Sequence, residues 1–160
     1  MTNPNQVYGR RQEFVAIAEL LKRGYQVFQT LVDDEGIDCV VRRVVDGKPV
    51  YIDLQIKARS TKTKPKNAGY FPTLRIPAPR PNYFFMFHSA HVESYWLIPS
   101  EDLTNGKASR HKTGKSAGAF ALRLTNPTKH GPKPRPKYEA YREERGFALL
   151  DEAIRKLALG

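Results

Sequence analysis

The order of hydrophobic and polar positions predicts a helix near each end of the chain and strands between them. Residues 8–23 have the period of an amphipathic helix, and Gly24 follows it as a helix-ending glycine does. The stripe expected to face the core, at spacing i, i+3, i+4 and i+7, consists of Phe14, Ile17, Ala18 and Leu21.

A strand, a turn and a β-hairpin are predicted next. Residues 25–32 favour a short strand, residues 33–36 a turn rich in acids, and residues 37–45 a β-branched strand. The tripeptide Asp-Gly-Lys at 46–48 is typical of a tight hairpin turn, so residues 49–58 form the returning strand.

The second half alternates between loops and short elements. Residues 59–82 are rich in lysine and proline, which predicts an irregular loop. Two aromatic strands are expected at 83–90 and 93–100. A basic, loop-rich region covers about 100–137 and contains one short strand at 119–124.

A C-terminal helix is predicted over about 138–159, with a possible bend at Gly146. Its buried stripe consists of Leu150, Ala153, Ile154 and Leu157. The fold class is therefore α/β, with a mixed β-sheet flanked by helices, and residues 1–160 form one domain.

The returning strand carries polar residues on one face. Side chains alternate across a strand, so Asp53, Gln55 and Lys57 share one face, and the aliphatic residues between them share the other. The aliphatic face packs into the core. The polar face therefore belongs at a solvated surface or in a functional cleft.

The preceding strand begins with an acid, Asp38. Pairing about the tight turn places Asp38 across from Lys57 or a neighbouring residue. A carboxylate, an amide oxygen and an ammonium group then converge on one point. Mg²⁺ prefers oxygen ligands, and a bound divalent ion polarises a phosphate and acidifies a water, so this cluster suits phosphodiester hydrolysis.

This part of the chain resembles the PD-(D/E)XK nuclease superfamily, the restriction-endonuclease-like fold that includes Holliday-junction resolvases. The resemblance lies in the first helix and in the segment GYQVFQTLVDDEGIDCVVRRVVDGKPVYIDLQIKAR. The likeness covers residues 8–60. The family has an acid at the start of one strand and acid-x-Lys on the next. These positions match Asp38 and the run Gln55-Ile56-Lys57, and the glutamate that often comes from the first helix matches Glu13.

The resemblance implies a Mg²⁺-dependent deoxyribonuclease, with Mn²⁺ as a possible substitute. Asp38, Gln55, the main-chain carbonyl of Ile56 and Glu13 would hold the metal, and Lys57 would position the attacking water. Gln55 departs from the usual Asp or Glu, which removes one negative charge from the site. Glu13 is the natural compensating acid, and Asp53 is a second candidate that is otherwise expected to pair with Lys57 or Arg42.

The charge of the chain points to a polyanionic partner. The net charge is +11, and residues 54–92 and 104–137 contain bases and no acid. DNA is the expected partner, gripped by the loop after the hairpin and by the later basic segment. The predicted nucleic-acid-binding residues are Arg10, Arg11, Arg59, Lys62, Lys64, Lys66, Arg110, Lys112 and Lys115.

Several other classes are excluded. No apolar run is long enough to span a membrane, and a single cysteine allows no internal disulfide, which fits a cytoplasmic protein. The run Thr-Gly-Lys-Ser at 113–116 lacks the earlier glycine of a P-loop, so no nucleotide cofactor is expected. The histidines have no zinc-ligand spacing. A homodimer is expected, since cutting two strands requires two sites.

Two rival interpretations stay open. The chain is also compatible with a non-catalytic DNA-binding module that kept the fold and lost an acid, which Gln55 favours. An RNA-binding protein is the second rival interpretation. A solvated sheet face is the simplest alternative for Asp38, Gln55 and Lys57.

Overall fold

The computed structural model describes residues 3–32 and 36–160. Its principal elements are two helices and five strands: α1 Pro4–Lys22, β1 Gln26–Gln29, β2 Cys39–Val45, β3 Lys48–Arg59, β5 Tyr83–Ser89, β6 Ser94–Pro99 and α3 Glu144–Leu159. Further elements lie between them: β4 Tyr70–Leu74, the helical turn α2 Ser100–Asp102, β7 Ser109–Arg110, β8 Phe120–Arg123, β9 Thr125–Asn126 and β10 Lys133–Pro134.

The main sheet has five strands in the order β1-β2-β3-β5-β6. The central pair, β3 and β5, runs parallel, with Asp53 opposite Tyr83 and Lys57 opposite Phe87. The other neighbouring pairs are antiparallel. A mixed sheet with α1 and α3 packed on it confirms the predicted α/β class.

The hairpin between β2 and β3 closes with a two-residue turn. Asp46 and Gly47 both have positive φ, 49° and 79°, and Val45 pairs with Lys48. Positive φ at both central residues is the type I′ geometry that matches the twist of antiparallel strands and favours Asp-Gly. The turn fixes the register of both strands and therefore which side chains meet at their far ends.

One face of the sheet is covered by α1 and α3. Buried residues of β2 and β3 pack there against Ala16 and Leu20 of α1 and against Leu150 and Ile154 of α3. The C-terminal stripe is confirmed, with Ala153 and Leu157 partly buried beside this core.

The predicted stripe of α1 is largely wrong. Phe14 and Leu21 are 50% and 54% exposed, and Ala18 is exposed as well, whereas Ile17 packs partly against the core. The helix buries the face that carries Ala16 and Leu20 instead. Apolar residues surround this helix on several sides, so its period alone did not identify the buried face.

The opposite face of the main sheet packs on a second sheet, whose order is β4-β8-β7. Aromatic side chains of β5 and β6 fill the space between the two sheets, together with Phe71 of β4 and Leu122 of β8. The prediction of an irregular loop over 59–82 is therefore wrong for Tyr70–Leu74. This strand contains Pro72 and has a register shift between Phe71 and Leu74, as proline in a strand requires.

The C-terminal helix begins later than predicted. Residues Pro136–Tyr141 form a 3₁₀ turn, and Glu143 has φ of 49°, which separates this turn from α3. Gly146 lies in the first turn of α3, where a side chain would collide with the carbonyl of Tyr141. Its role is this close approach and not a bend within the helix.

Candidate active site

Side chains from α1, β3 and the start of β2 line a cavity of about 240 Å³ at the edge of the main sheet. Its lining residues are Gly9, Glu13, Asp38, Gln55, Ile56, Lys57 and Ala58. All four residues predicted to be catalytic are among them. The structure therefore brings together groups that are up to 44 positions apart in the sequence, from Glu13 to Lys57.

Asp38 lies directly before β2 and is tied to β3 at two points. Its backbone N–H donates to the carbonyl of Leu54 at 2.8 Å. Its side-chain Oδ2 accepts a 2.6 Å hydrogen bond from the backbone N–H of Ile56. β2 begins at Cys39 and therefore offers no backbone acceptor to the N–H of Ile56. The Asp38 carboxylate accepts this hydrogen bond instead.

The register differs by two residues from the prediction for Asp38. The ladder ends at the pair of Cys39 and Leu54, and Asp38 beyond it contacts the backbone of Leu54 and Ile56, so it does not lie opposite Lys57. Residues two apart on a strand share a face, so Lys57 still lies on the side of the sheet that Gln55 occupies. Asp38, Gln55 and Lys57 therefore still line one cavity despite the difference in register.

The main-chain carbonyl of Ile56 points toward the cavity. The N–H and C=O of one strand residue point to the same side of the strand, and the N–H of Ile56 is directed at Asp38. Because β2 starts at Cys39, opposite Leu54, its ladder does not reach Ile56. This carbonyl oxygen therefore lies on the side of β3 from which Asp38 contacts Ile56.

Gln55 is almost fully buried, with 9% of its surface exposed. The Tyr83 hydroxyl lies 3.2 Å from its Oε1 and donates to the carbonyl of Gly36 at 2.8 Å. A hydroxyl has one proton and the Gly36 carbonyl only accepts, so the amide of Gln55 can turn its NH₂ group to the Tyr83 oxygen. In either orientation of the amide, the Gln55 side chain lines the cavity.

Glu13 approaches the cavity from α1. It lies one turn before Ala16 and Ile17, and its Oε2 forms an ion pair of 3.1 Å with Arg10. The charges of Glu13 and Asp38 also affect the pKa of the buried Cys39 thiol. Burial raises its pKa to about 12, and the negative charges of Asp38 and Glu13 add to the effect. The two carboxylates therefore act on one small volume.

Lys57 lines the same cavity and is half-buried. Asp53 does not pair with it. Asp53 instead forms a 2.6 Å ion pair with Arg80, across the junction of β3 and β5. Of the two acids considered as replacements for the missing charge, only Glu13 reaches the cavity. The expected pairing of Asp53 with Lys57 or Arg42 is wrong.

The donor set fits a hard divalent cation. Two carboxylates, an amide oxygen and a backbone carbonyl are all oxygen ligands of the kind that Mg²⁺ accepts. Within residues 3–32 and 36–160, no cluster of three or more His, Cys, Asp or Glu side chains is placed to hold a metal ion, at this cavity or elsewhere. Asp33, Asp34 and Glu35, predicted as turn acids, lie outside the described residues.

The predicted DNA-contacting bases occupy several surfaces. Arg10 and Arg11 are exposed on α1, where Arg11 stacks over Tyr8 at 5.2 Å. Lys62, Lys64 and Lys66 are exposed on the loop after β3, and Arg110, Lys112 and Lys115 are exposed at β7 and on the loop after it.

Arg59 differs from the other predicted bases because it is partly buried and contacts a neighbouring strand. Its Nε donates to the carbonyl of Tyr70 at 2.9 Å, and its guanidinium lies 4.6 Å from the Phe71 ring. Burial lowers the pKa of Arg59 from its usual value. The side chain thus joins β3 to β4.

Sequence reasoning missed two neighbours of Gln55. Tyr83 is buried, and its hydroxyl contacts Gln55. Gly36 has φ of 71°, and a Cβ there would lie 3.3 Å from Oε1 of Gln55. The glycine before Ile37-Asp38 was a visible signal, but only the fold shows which side chain it accommodates.

Among the described residues, no helix is both long and apolar enough to cross a membrane.

No family model matches the sequence, and no curated protein matches it. Among solved structures, the chain is similar to a bacterial homing endonuclease, I-Ssp6803I, with a TM-score of 0.59 and 19% sequence identity. The match covers 96% of this chain and 99% of that chain. At this identity the likeness shows the fold alone, which is a nuclease-like mixed sheet flanked by helices.

Proposed function

We propose that this protein is a metal-dependent endonuclease that hydrolyses phosphodiester bonds in DNA. The observation that carries the proposal is the shared cavity. Glu13, Asp38, Gln55 and Lys57 line it together, at the positions that the PD-(D/E)XK pattern gives to them. The endonuclease with the similar fold supports the same activity.

Asp38, Oε1 of Gln55, the carbonyl of Ile56 and Glu13 would hold Mg²⁺, or Mn²⁺ in its place. When bound, the ion supplies a polarised phosphate oxygen and a more acidic water. Asp38 binds with its carboxylate already oriented by the Ile56 N–H. Glu13 provides the second negative charge that Gln55 does not.

Lys57 orients the attacking water and stabilises negative charge that develops on the phosphate. An ammonium group is well suited to this role because it is a compact point charge with three donors. No described carboxylate pairs with Lys57, and its half-buried position beside the cavity keeps the charge close to the reacting atoms.

DNA is the proposed substrate because of the charge of the chain. A net charge of +11, with exposed bases on α1 and on the loop after β3, attracts a polyanion. Binding should therefore weaken steeply as salt increases. Cutting both strands requires two active sites, so we also propose that the active form is a homodimer.

A non-catalytic DNA-binding module is the second candidate. Gln55 favours it, since the cavity has one charge fewer than an acid-x-Lys site has. The two functions differ in one measurable respect, which is whether bound DNA is cut when a divalent ion is present.

The test is cleavage of supercoiled plasmid and of branched DNA with Mg²⁺ or Mn²⁺, for the wild type, Asp38→Ala and Lys57→Ala. The proposal predicts metal-dependent cutting by the wild type and loss of cutting in both variants, with DNA binding retained. Binding without cutting of any substrate supports the module. Tighter binding of RNA than of duplex DNA at equal salt supports an RNA-binding protein.

A further inference from the structure

A second and larger cavity, of about 710 Å³, adjoins the candidate active site. The first turns of α1 form one wall, and the loop after β3 forms the other. Its polar and charged lining includes Asn5, Arg11, Gln12, Ser60, Thr61 and Lys62. The volume is within the range of cavities that bind a ligand as large as a nucleotide.

The two cavities share walls. Tyr8 and Gln12 line the larger one, and the next residues along α1, Gly9 and Glu13, line the smaller one. On the other side, Ala58 lines the smaller cavity and Ser60 the larger one, about 7 Å further along the strand direction. A strand of nucleic acid cut in the first cavity must pass close to the second.

The charge of the larger cavity suits an anion. Arg11 and Lys62 face it from opposite walls, and no acid is among the described residues that line it. No described carboxylate pairs with either cation. Arg11 stacks over the Tyr8 ring, which leaves the N–H groups at the edge of its guanidinium available for a phosphate.

The loop wall is held in place before any ligand binds. The N–H of Lys62 donates to the Ser60 hydroxyl at 3.2 Å, and Thr63 closes a turn onto the Ser60 carbonyl at 3.1 Å. His91 contacts the carbonyl of Thr63 at 2.6 Å, which ties the loop to the segment after β5. A preformed wall lowers the entropic cost of binding.

We propose that this cavity binds the nucleotide next to the scissile phosphate, with Arg11 and Lys62 on a phosphate of that nucleotide. The proposal rests on the nuclease function and deepens it, because it assigns a position to the substrate strand. Uncharged donors and acceptors on Asn5, Gln12, Ser60 and Thr61 then face the sugar and base.

The first experiment needs no cleavage. Binding of thymidine 3′,5′-bisphosphate is measured by calorimetry, without metal, for the wild type, for Arg11→Gln/Lys62→Gln and for Lys22→Gln. Lys22 is an exposed base at the far end of α1, so its variant controls for the loss of one positive charge outside the cavity. We expect binding at least about tenfold weaker in the double variant and within about twofold of the wild type in the control. Equal binding by all three proteins overturns the subsite.

The second experiment separates the subsite from the proposed activity. Duplex DNA affinity is measured against salt in the Lys57→Ala background, and the wild type is assayed for Mg²⁺-dependent cutting. The double variant should lower the salt slope by about 1, because the phosphate that both cations contact is no longer neutralised. If the wild type cuts DNA and the slope is unchanged, the subsite fails and the nuclease stands. If the wild type never cuts but the bisphosphate still needs Arg11 and Lys62, the nuclease fails and the nucleotide site stands.

Discussion

The Oδ2 atom of Asp38 accepts a 2.6 Å hydrogen bond from the backbone N–H of Ile56. This contact lets one carboxylate serve two purposes. It satisfies a buried backbone donor at the point where β2 has ended, and it fixes the carboxylate at the mouth of the cavity. The structural part and the chemical part of this role can be separated by mutation.

Asp38→Asn and Asp38→Ala should differ in stability but not in activity. The amide of asparagine still offers an oxygen to the Ile56 N–H, so its free energy of unfolding should stay within about 1 kcal/mol of the wild type. Alanine leaves that buried donor without a partner and should cost about 1 to 3 kcal/mol. Both variants should lose cutting by at least about a hundredfold, because both lack the charge. Urea unfolding and single-turnover cleavage measure the two effects, and equal stability of the two variants contradicts the proposed role of the hydrogen bond.

Gln55→Glu should make the stability of the protein depend on Mg²⁺. Without the ion, the new carboxylate lies buried beside Asp38, and unfavourable desolvation and repulsion should lower stability by about 1 to 2 kcal/mol. Added Mg²⁺ should restore it, and half-maximal cutting should need less Mg²⁺ than in the wild type.

Gln55→Met is the matched control, because it removes the amide oxygen without adding charge. Its melting temperature should respond less to Mg²⁺ than that of Gln55→Glu, and its cutting should fall. A Gln55→Glu protein whose melting temperature does not change with Mg²⁺ would show that the ion does not bind at this residue.

Gly36→Ala should disturb the Gln55 amide. Gly36 has φ of 71°, which alanine adopts at a cost, and the added Cβ would lie 3.3 Å from Oε1 of Gln55 and 3.4 Å from the Tyr83 hydroxyl. Gly114→Ala is the control, since Gly114 has a similar φ of 80° with nothing within 4 Å. We expect Gly36→Ala to cost at least about 1 kcal/mol more than the control and to reduce cutting as well. Equal melting temperatures for the two variants would mean that Gly36 serves only the turn.

His88 should make the protein less stable in acid. Its Nδ1 is buried and no described residue bonds to it, and burial lowers the pKa of its imidazole, with an opposing effect from Glu93. The unfolded chain therefore binds a proton from about pH 6.5 downward while folded His88 binds it only at lower pH, so stability falls as pH falls below about 6.5. His88→Gln should flatten this part of the pH profile, measured by urea unfolding from pH 7.5 to 5. A profile as steep as that of the wild type would assign the acid sensitivity to other groups.

The hairpin shows what the sequence can determine. Side-chain alternation predicts Gln55 and Lys57 on one face of β3, and the Asp46-Gly47 turn, which fixes the register, predicts Asp38 at the same end of the hairpin. The error of two residues in the partner of Asp38 was harmless, because residues two apart share a face.

Contacts between distant elements could not be predicted in this way. Asp53 pairs with Arg80 only because β5 lies parallel to β3, and local patterns do not determine that pairing. On α1, apolar residues lie on both the buried and the exposed sides, so Phe14 and Leu21 were assigned to the core although Leu20 occupies it. Pro72 concealed β4, since proline usually argues against a strand.

The central claim, that Asp38 holds a divalent ion where DNA is cut, is tested most directly by Mn²⁺ affinity in the DNA complex. Lys57→Met keeps the oxygen ligands while preventing cleavage, so Mn²⁺ binding is titrated on its complex with duplex DNA, alone and combined with Asp38→Asn. The account predicts one ion per chain for Lys57→Met and at least about tenfold weaker binding when Asp38→Asn is added. Equal Mn²⁺ affinity for the two complexes would contradict it.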